Sequence, residues 1–206
     1  MITWQYPPEH RLTEEALAGE FRVSRSPVRE AMRVLVTSGL ITRMANRGYA
    51  VRQVNLREVE EIYEVRLALE LYAVETLASR EGSQEALTLL RKSWEAVRNA
   101  PDNRNGEELA ELDTIFHESL VALVGNEALL RNVKAINERL VVFRMIDFRK
   151  PDRLESTCAQ HLSIIERIEA KDTEGARAAI RMNIDHARQI VGETLKETVA
   201  RAYATI

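Results

Sequence analysis

The feature that most constrains this fold is a helical pattern that continues from Asn55 almost to the end of the 206-residue chain. Apolar residues recur there at helical spacing, and loop clusters such as PDNRNG and KPD separate the runs. The chain has 8 glycines, 5 prolines and 5% aromatic residues, a composition that favours long helices over sheets. Six helices are predicted, at residues 56–81, 84–99, 107–124, 126–149, 153–170 and 173–200. Their short connections indicate an antiparallel bundle.

The residues before this bundle have a different pattern, two short helices followed by a hairpin. Residues 13–21 predict the first helix. The second begins at Ser24 or Ser26, either of which can cap it, and ends at Gly39. The stretch LITRMANRGYAVRQV then has two β-prone pieces around a turn. This order predicts a winged helix-turn-helix, whose second helix enters the major groove of DNA while the hairpin, or wing, touches the backbone or minor groove.

Charge also separates the two parts of the chain. The chain carries a net charge of -3, but residues 1–53 have a balance of +3 and the remainder a balance of -6. Three of the basic residues, Arg25, Arg29 and Arg33, recur four apart on the predicted second helix. A basic N-terminal part on an acidic body indicates a polyanionic partner at one end only.

Targeting signals and cysteine usage bear on the compartment. No apolar run approaches the roughly 20 residues of a membrane span, and the N-terminus MITWQYPPEHR lacks the apolar core of a signal peptide. The single cysteine, Cys158, excludes an internal disulfide framework and fits a reducing compartment. We expect a cytoplasmic protein without a membrane partner. Its two domains are predicted to be residues 1–54 and residues 55–206.

On the predicted 56–81 helix, Arg66 and Glu70 lie in the middle of the apolar face. One interpretation is an internal ion pair, since the two residues are four apart. The other is that Arg66 faces a cavity and binds an anionic ligand, because a guanidinium matches the geometry of a carboxylate. The pattern leaves both interpretations open.

Four polar residues on three other helices point toward a common interior. Asp113 and His117 lie four apart beside one apolar stripe, His161 lies within a second, and Asn183 within a third. Imidazole and carboxylate suit Zn, Ni, Mn or Fe, and an open position would let an anion complete the shell. The alternatives are a partly solvated Asp–His contact and a core histidine with its hydrogen bonds satisfied. His186 lies about 100° away from the line of Asn183.

These residues resemble a known family. The run LTEEALAGEFRVSRSPVREAMRVLVTSGLITRMANRGYAV resembles the winged-helix domain of the GntR family of bacterial transcription regulators. The remainder resembles the all-helical, FCD-type effector domain of that family's FadR branch. The resemblance implies a homodimer that binds a near-palindromic double-stranded DNA operator and responds to a small organic acid.

The resemblance also implies a divalent metal, which many members hold with an Asp-x-x-x-His pair and two later histidines. Asp113 and His117 match the pair, and His161 matches the third ligand. Asn183 stands where the fourth histidine is expected. Its amide oxygen is a weaker ligand than imidazole, which leaves the metal open among Zn, Ni and Mn.

The effector contacts implied by the resemblance lie on two helices. Arg66 and Glu70 match an Arg-x-x-x-Glu that opens the family's effector domain. In members with a metal, that arginine lies near the bound ligand, which favours the cavity interpretation of Arg66. Arg144, on the apolar stripe of its own helix, is a second candidate.

DNA contacts are implied for six residues of the turn, the recognition helix and the wing: Ser24, Arg25, Ser26, Arg29, Arg47 and Gly48. We expect Arg25 and Arg29 to read bases or phosphates. Arg33 is either a phosphate contact or a solvated surface residue. Glu15 departs from the family, because many members carry there an arginine that contacts phosphate.

The start of the chain is a second departure. It begins at the family's pre-helix loop, YPPEHRL, so the first helix of the winged domain is expected to be missing or short, either by truncation or by an unusual start. Such a domain would lose packing behind its recognition helix.

The sequence therefore predicts a transcription regulator, a repressor rather than an enzyme, that senses a carboxylate beside a divalent metal. One alternative is a metal-dependent hydrolase or lyase that uses Asp113, His117 and His161. Another is a helical metal- or ligand-binding protein without DNA binding.

Overall fold

The computed structural model describes residues 6, 8–45, 48–53, 55–100, 104–150 and 152–204, with side chains described as far as Lys196. The elements in chain order are β1 (Arg11–Leu12), α1 (Glu14–Phe21), α2 (Arg25–Thr37), β2 (Ile41–Arg43), β3 (Tyr49–Val51), α3 (Leu56–Ser79), α4 (Gln84–Asn99), α5 (Gly106–Leu123), α6 (Glu127–Asp147), α7 (Arg153–Glu169) and α8 (Thr173–Ala204). The mostly helical fold with a small N-terminal sheet is confirmed. Below, the head is the part up to residue 53, and the body is α3 to α8.

The head contains the predicted pair of helices. Thr13 caps α1, because its Oγ1 accepts from the backbone N–H of Ala16 at 3.1 Å. Arg22 then ends α1 in the left-handed conformation, with φ of 53°. Ser24 is the N-cap of α2 as predicted, but its side chain makes no capping hydrogen bond. Gly39 follows α2 with φ of +69°, a conformation that favours glycine.

The sheet has one strand more than the sequence predicted. β2 and β3 form the expected antiparallel hairpin, and β1 pairs with the other edge of β3, with Arg11 opposite Ala50. Two residues are too few for a periodic signal, which is why β1 was missed. A separate apolar cluster fills the space between this sheet and the two helices, and Met32 of α2 lies at its centre with 1% exposure.

The body consists of six helices around a large apolar core that includes Phe116, Leu140, Ile164 and Ile180, with a smaller apolar cluster around Leu109 and Phe148. Each helix lies within a few residues of its predicted position. The largest difference is at the end of α8, which extends to Ala204, while α3 and α6 end slightly earlier than predicted, at Ser79 and Asp147. None of the described helices is both long and apolar enough to cross a bilayer.

The head and body share contacts. Leu40 of the head is buried in the core of the body. Glu58, in the first turn of α3, accepts from Arg52 of the head at 2.8 Å and from Arg139 of α6 at 2.8 Å. The prediction about a missing first helix concerns the start of the chain, where residues 1–5 and 7 lie outside the described part, and it stays a prediction.

Candidate functional site

Asp113, His117 and His161 come together in the interior of the body. Each offers one ligand atom, and these atoms all lie within 4.8 Å of one another. Asp113 Oδ1 lies 3.3 Å from His161 Nε2 and 3.7 Å from His117 Nε2. α5 supplies the first two residues from successive turns, and α7 supplies the third. All three are buried, so the interpretation of a partly solvated Asp–His contact is wrong.

The orientation of the His117 ring is fixed from α3. Its Nδ1 lies 2.5 Å from Glu70 Oε2, and both side chains are buried. A carboxylate can only accept, so this contact places the proton on Nδ1. In the neutral ring the lone pair is then on Nε2, the atom that faces Asp113. Partners of this kind orient the histidine ligands of metal sites.

His161 is held by aromatic rings instead of hydrogen bonds. It stacks on Phe116, with centroids 3.7 Å apart, and meets the Trp94 ring edge-on at 4.2 Å. Within the described part of the chain, neither of its ring nitrogens has a hydrogen-bond partner. Burial lowers the pKa of His161 to about 4 although the Asp113 carboxylate opposes the shift, so the ring is neutral near pH 7. An unsatisfied buried imidazole argues against the core-histidine interpretation.

Arg144 of α6 reaches the same cluster. Its Nε forms an ion pair with Asp113 Oδ2 at 2.8 Å, while its Nη1 donates to Thr114 Oγ1 at 3.1 Å and its Nη2 to Asn137 Oδ1 at 2.8 Å. Burial alone would raise the pKa of Asp113. His117, together with His161 and Arg144, outweighs burial and lowers that pKa well below its usual value. Asp113 is therefore a buried anion.

Arg66 forms the internal ion pair that was one of its two interpretations, while its binding of an anionic ligand stays a prediction. Its Nε donates to Glu70 Oε1 at 2.7 Å, so the internal pair exists. However, its Nη2 and the nearby Tyr63 hydroxyl are buried without hydrogen-bond partners among the described residues. Burial alone would raise the pKa of Glu70, but His117 and Arg66 lower it to about 2. Arg66 is thus paired through Nε, while its Nη2 is a buried donor without a partner among the described residues.

Asn183 is buried on α8, and its amide nitrogen donates to Gln160 Oε1 at 2.9 Å. The nitrogen of the same Gln160 amide, Nε2, lies 3.0 Å from His186 Nδ1. The amide oxygen of Asn183 is therefore the atom left for a metal, and its role as a fourth ligand stays a prediction. His186 is engaged with Gln160, in keeping with its position off the line of Asn183.

Sequence reasoning missed two members of this site. Glu70 was noted only as a partner of Arg66, although its second oxygen holds His117. Asn137 was not considered, although it binds Arg144 from inside α6. Its only sequence signal is that an amide stands two helical turns before an arginine on the same buried face.

The predicted DNA-reading arginines lie on the outside of α2. The side chains of Arg25, Arg29 and Arg33 are 61%, 66% and 75% exposed. Two of them pair with the first turn of α1: Arg29 Nη2 lies 2.9 Å from Glu14, and Arg25 Nη2 lies 3.1 Å from Glu15. Arg33 pairs within its own helix. The cations therefore share their surface with carboxylates, including the Glu15 that departs from the family pattern.

The remaining predicted DNA contacts lie at the ends of this surface. Ser24 and Ser26 lie where α2 begins, with Ser24 as its N-cap residue. Gly48 has φ of +143°, and a Cβ there would approach the Leu12 carbonyl oxygen at 3.1 Å. Arg47 lies outside the described residues, so its predicted contact has no structural description.

Comparison with protein families covers nearly the whole chain. The model of "Bacterial regulatory proteins, gntR family" matches residues 1–51, and the model of the "FCD domain" matches residues 61–186. The chain belongs to the GntR family. As a GntR-family chain with an FCD domain, it is a transcription regulator and not an enzyme.

Individual relatives agree with this assignment of the GntR-family chain. It is 32% identical to the Nta operon transcriptional regulator of Aminobacter aminovorans, over 98% of this chain and 94% of the relative. It is 31% identical to the gluconate operon transcriptional repressor of Bacillus licheniformis, over 84% and 73%. Among solved structures, Lar, which controls the expression of the Listeria monocytogenes agr system, superposes with a TM-score of 0.61 at 25% identity, over 89% and 87%.

Proposed function

We propose that this GntR-family regulator is a cytoplasmic repressor that binds a near-palindromic operator as a homodimer and senses a small organic acid beside a divalent metal. Residues 1–54 form the DNA-binding domain in this proposal, and residues 55–206 form the sensor. The single observation that carries the sensor proposal is the buried cluster of Asp113, His117 and His161, whose imidazoles are held in place without satisfying their Nε2 atoms.

The DNA proposal is supported by the distribution of apolar and basic side chains around α2. Its apolar face, with Val28 and Met32, packs into the head, so Arg25 and Arg29 are left on the exposed side. Residues at the helix start and in the wing complete the proposed contact surface: Ser24, Ser26, Arg47 and Gly48. Arginine and serine side chains together with backbone N–H groups are the usual donors to DNA phosphates.

The metal proposal is supported by the chemistry of the donor set. One carboxylate and two imidazoles suit Zn, Ni or Mn. The contact with Glu70 places a proton on His117 Nδ1, which leaves Nε2 as the nitrogen that would bind the ion. Asp113, His117 and His161 would hold the ion, with the Asn183 amide oxygen as the proposed fourth ligand. When bound, the ion supplies open coordination positions for an anionic oxygen.

The charge balance of the interior favours a carboxylate as the effector. Arg66 and Arg144 are cations, Glu70 and Asp113 are anions, and all four side chains are at least 93% buried. Their formal charges cancel. A divalent ion would therefore leave two uncompensated positive charges in a buried region, which is costly. A carboxylate that contacts the ion and the Nη2 donor of Arg66 compensates one of these charges, and the second carboxylate of a dicarboxylic acid would compensate the other.

A thermal-shift screen tests the sensor. Organic acids such as gluconate, succinate and citrate are added with and without Zn²⁺, Ni²⁺ or Mn²⁺, since binding to the folded state raises the melting temperature. We expect the largest increase for an acid and a metal together, and none in His117→Ala. The matched control is His10→Ala, which removes an exposed imidazole of the head and should respond like the wild type. A wild-type protein that no metal stabilises would refute the sensor proposal.

A DNA-binding assay tests the head. We expect the protein to retard DNA from upstream of its own gene at low salt, and Arg29→Ala to weaken this binding strongly. Arg131→Ala, which removes an exposed arginine of α6, is the control for net charge. If the wild type fails to bind, or Arg29→Ala binds as well as the wild type, the DNA surface is wrong. A helical ligand-binding protein without DNA binding would then be the better description.

The direction of regulation is a separate part of the proposal. Repression is supported by the repressor named among the relatives. A reporter gene behind the upstream DNA should be expressed more strongly when the regulator is deleted. Lower expression in the deletion strain would make the protein an activator.

A further inference from the structure

We propose that Arg144 and Asn137 link the interior cluster to the DNA-reading helix α2, so that a ligand acts on DNA affinity by drawing Arg144 away from Asn137. This inference rests on the sensor function proposed above and adds the contacts through which the signal passes. It concerns a positioning residue, Asn137, that acts through Arg144.

Arg144 stands between two different surroundings. Its Nε pairs with Asp113 Oδ2 at 2.8 Å, and the other oxygen of Asp113 faces His117 and His161. Its Nη2 donates to Asn137 Oδ1 at 2.8 Å. A single guanidinium, 3% exposed, therefore contacts both the aspartate of the candidate ligand position and an amide of the next layer of the protein.

The next layer is a cleft between the body and the head. The cleft has a volume of about 280 Å³, and Asn137 and Thr114, the two neutral partners of Arg144, lie on its body side. Its other wall is formed by Arg33, Val34 and Thr37, the C-terminal half of α2. The partners of Arg144 thus line the space that separates the sensor from the DNA-reading helix.

The same turn of α6 also holds the end of α2. The backbone carbonyl of Glu138, the neighbour of Asn137, accepts a hydrogen bond from the Ser38 hydroxyl at 3.3 Å. Ser38 directly follows α2, and its side chain is buried. Asn137 is further held by Glu118, which accepts from its amide nitrogen at 3.0 Å. A shift of this turn must therefore change the contact with α2.

The chemistry of the acceptors gives the link its direction. Asn137 offers Arg144 a neutral amide oxygen, whereas a ligand carboxylate offers a charged acceptor, which forms stronger and shorter hydrogen bonds. A carboxylate at the cluster therefore draws the guanidinium from Asn137 and Thr114. The amide released in this way repacks toward Glu118 and the cleft. The two arrangements then differ in ligand affinity and in the seating of α2, as coupling between two sites requires.

Asn137→Asp tests this link; it is made together with Glu118→Gln, because a carboxylate at position 137 would otherwise face the Glu118 carboxylate that accepts from the Asn137 amide. A carboxylate at position 137 matches the charge of a ligand carboxylate and keeps Arg144 on the cleft side. Fluorescence anisotropy measures the DNA Kd without ligand, with Zn²⁺ alone and with Zn²⁺ plus succinate, while thermal shift measures binding of the same probes. We expect the wild-type Kd to change about 5- to 150-fold, the usual range of coupling between sites. The same probes should stabilise Asn137→Asp but leave its DNA Kd within about twofold.

Two further variants make the result specific. Asn132→Asp makes the same chemical change on an exposed position of α6 and should respond to the probes like the wild type. Thr114→Val removes the partner of Nη1, along with the hydrogen bond from the Thr114 hydroxyl to the Ala110 carbonyl within α5, and should reduce the DNA response without abolishing it. If Thr114→Val loses the response while Asn137→Asp keeps it, the signal does not pass through Asn137.

The outcomes separate this inference from the function on which it rests. If Asn137→Asp responds as fully as Asn132→Asp, the link is refuted and the sensor stands. If Zn²⁺ and succinate stabilise the wild type but leave its DNA Kd unchanged, the link and the proposed sensor function are both refuted for this ligand class. Absence of any stabilisation of the wild type refutes the metal site itself, and the link with it.

Discussion

The two oxygens of Glu70 serve different partners, Arg66 Nε at 2.7 Å and His117 Nδ1 at 2.5 Å. Both partners are donors, so the residue between them has to accept on both sides. A carboxylate does so, whereas an amide can accept on one side only. The identity of residue 70 therefore controls the arginine proposed for the effector and the histidine proposed for the metal together.

Glu70→Gln should weaken Zn²⁺ binding by about 10- to 100-fold, the usual effect of losing a partner that orients a ligand. The amide nitrogen of glutamine is a donor, and it would face either His117 Nδ1–H or Arg66 Nε–H. This mismatch turns the His117 ring or releases Arg66. Competition with a chromogenic zinc chelator measures the affinity. Glu64→Gln, on the exposed face of the same helix, should bind Zn²⁺ like the wild type. Equal affinities in the two variants would mean that Glu70 does not orient His117.

Glu15→Gln should strengthen binding to DNA of any sequence. It removes a negative charge from the proposed DNA-binding surface and releases Arg25, which lies 3.1 Å away. Each phosphate contact releases counterions from DNA, so the number of contacts sets how steeply affinity falls with salt concentration. The plot of log affinity against log salt concentration should therefore become steeper. Anisotropy titrations with random DNA at several salt concentrations measure this. Glu127→Gln makes the same change of net charge on α6, and a matching increase there would show that Glu15 has no local effect.

At the scale of the elements, α5 is the helix whose position matters most, since it carries both Asp113 and His117. Its start is defined by a capping box. The Asn105 side chain accepts from the N–H groups of Glu107 and Glu108 at 2.9 and 3.0 Å, and the Glu108 carboxylate accepts from the backbone N–H of Asn105 at 2.9 Å. These contacts fix where the helix begins and hence which face its two site residues occupy.

Asn105→Ala should lower the free energy of unfolding by about 1 kcal/mol, the usual cost of losing an N-cap side chain. Urea denaturation followed by circular dichroism measures the change. Asn132→Ala, an exposed position within α6, should be neutral or slightly stabilising because alanine is the better helix former. A loss of stability at position 132 as large as at position 105 would argue against a specific role of the cap.

The sequence specified the elements better than the contacts between them. Helix starts could be predicted because capping residues are local: Thr13, Asn55 and Asn126 all stand where their helices begin. The meeting of α3, α5, α6 and α7 at one cluster could not be derived, since spacing across separate helices carries no signal. The helical stripes place Asp113, His117 and His161 toward a common interior, but only the family resemblance favours a metal site over the other interpretations. The contact of Glu70 with His117 and the role of Asn137 were missed, because the Arg-x-x-x-Glu motif relates Glu70 only to Arg66 and no motif names Asn137.

At the scale of the whole molecule, the head is joined to the body by apolar packing as well as by polar contacts. Leu40 belongs to the core of the body, although the next residue, Ile41, belongs to the core of the head. Glu58 adds an ion pair on either side of the junction. A head anchored in this way follows movements of α3 and α6, which a regulator requires.

Leu40→Ala should weaken this junction and lower the free energy of unfolding by about 2–5 kcal/mol, the usual range for a buried leucine. Scanning calorimetry should show one transition for the wild type and a broader or split one for the variant, because the head loses its anchor. Leu89→Ala, at a leucine that is 62% exposed, is the control and should melt like the wild type. Two separate transitions in the wild type would show that head and body unfold independently.

The sharing of one carboxylate in the interior has an evolutionary consequence. A substitution at Glu70 changes the contacts of both Arg66 and His117. A single mutation at position 66, 70 or 117 is therefore expected to reduce stability and ligand binding. Relatives that have changed their effector are expected to have replaced this trio together or to have kept it whole. Sequence divergence within the family should therefore concentrate on other residues around the site, where one residue can change without two others.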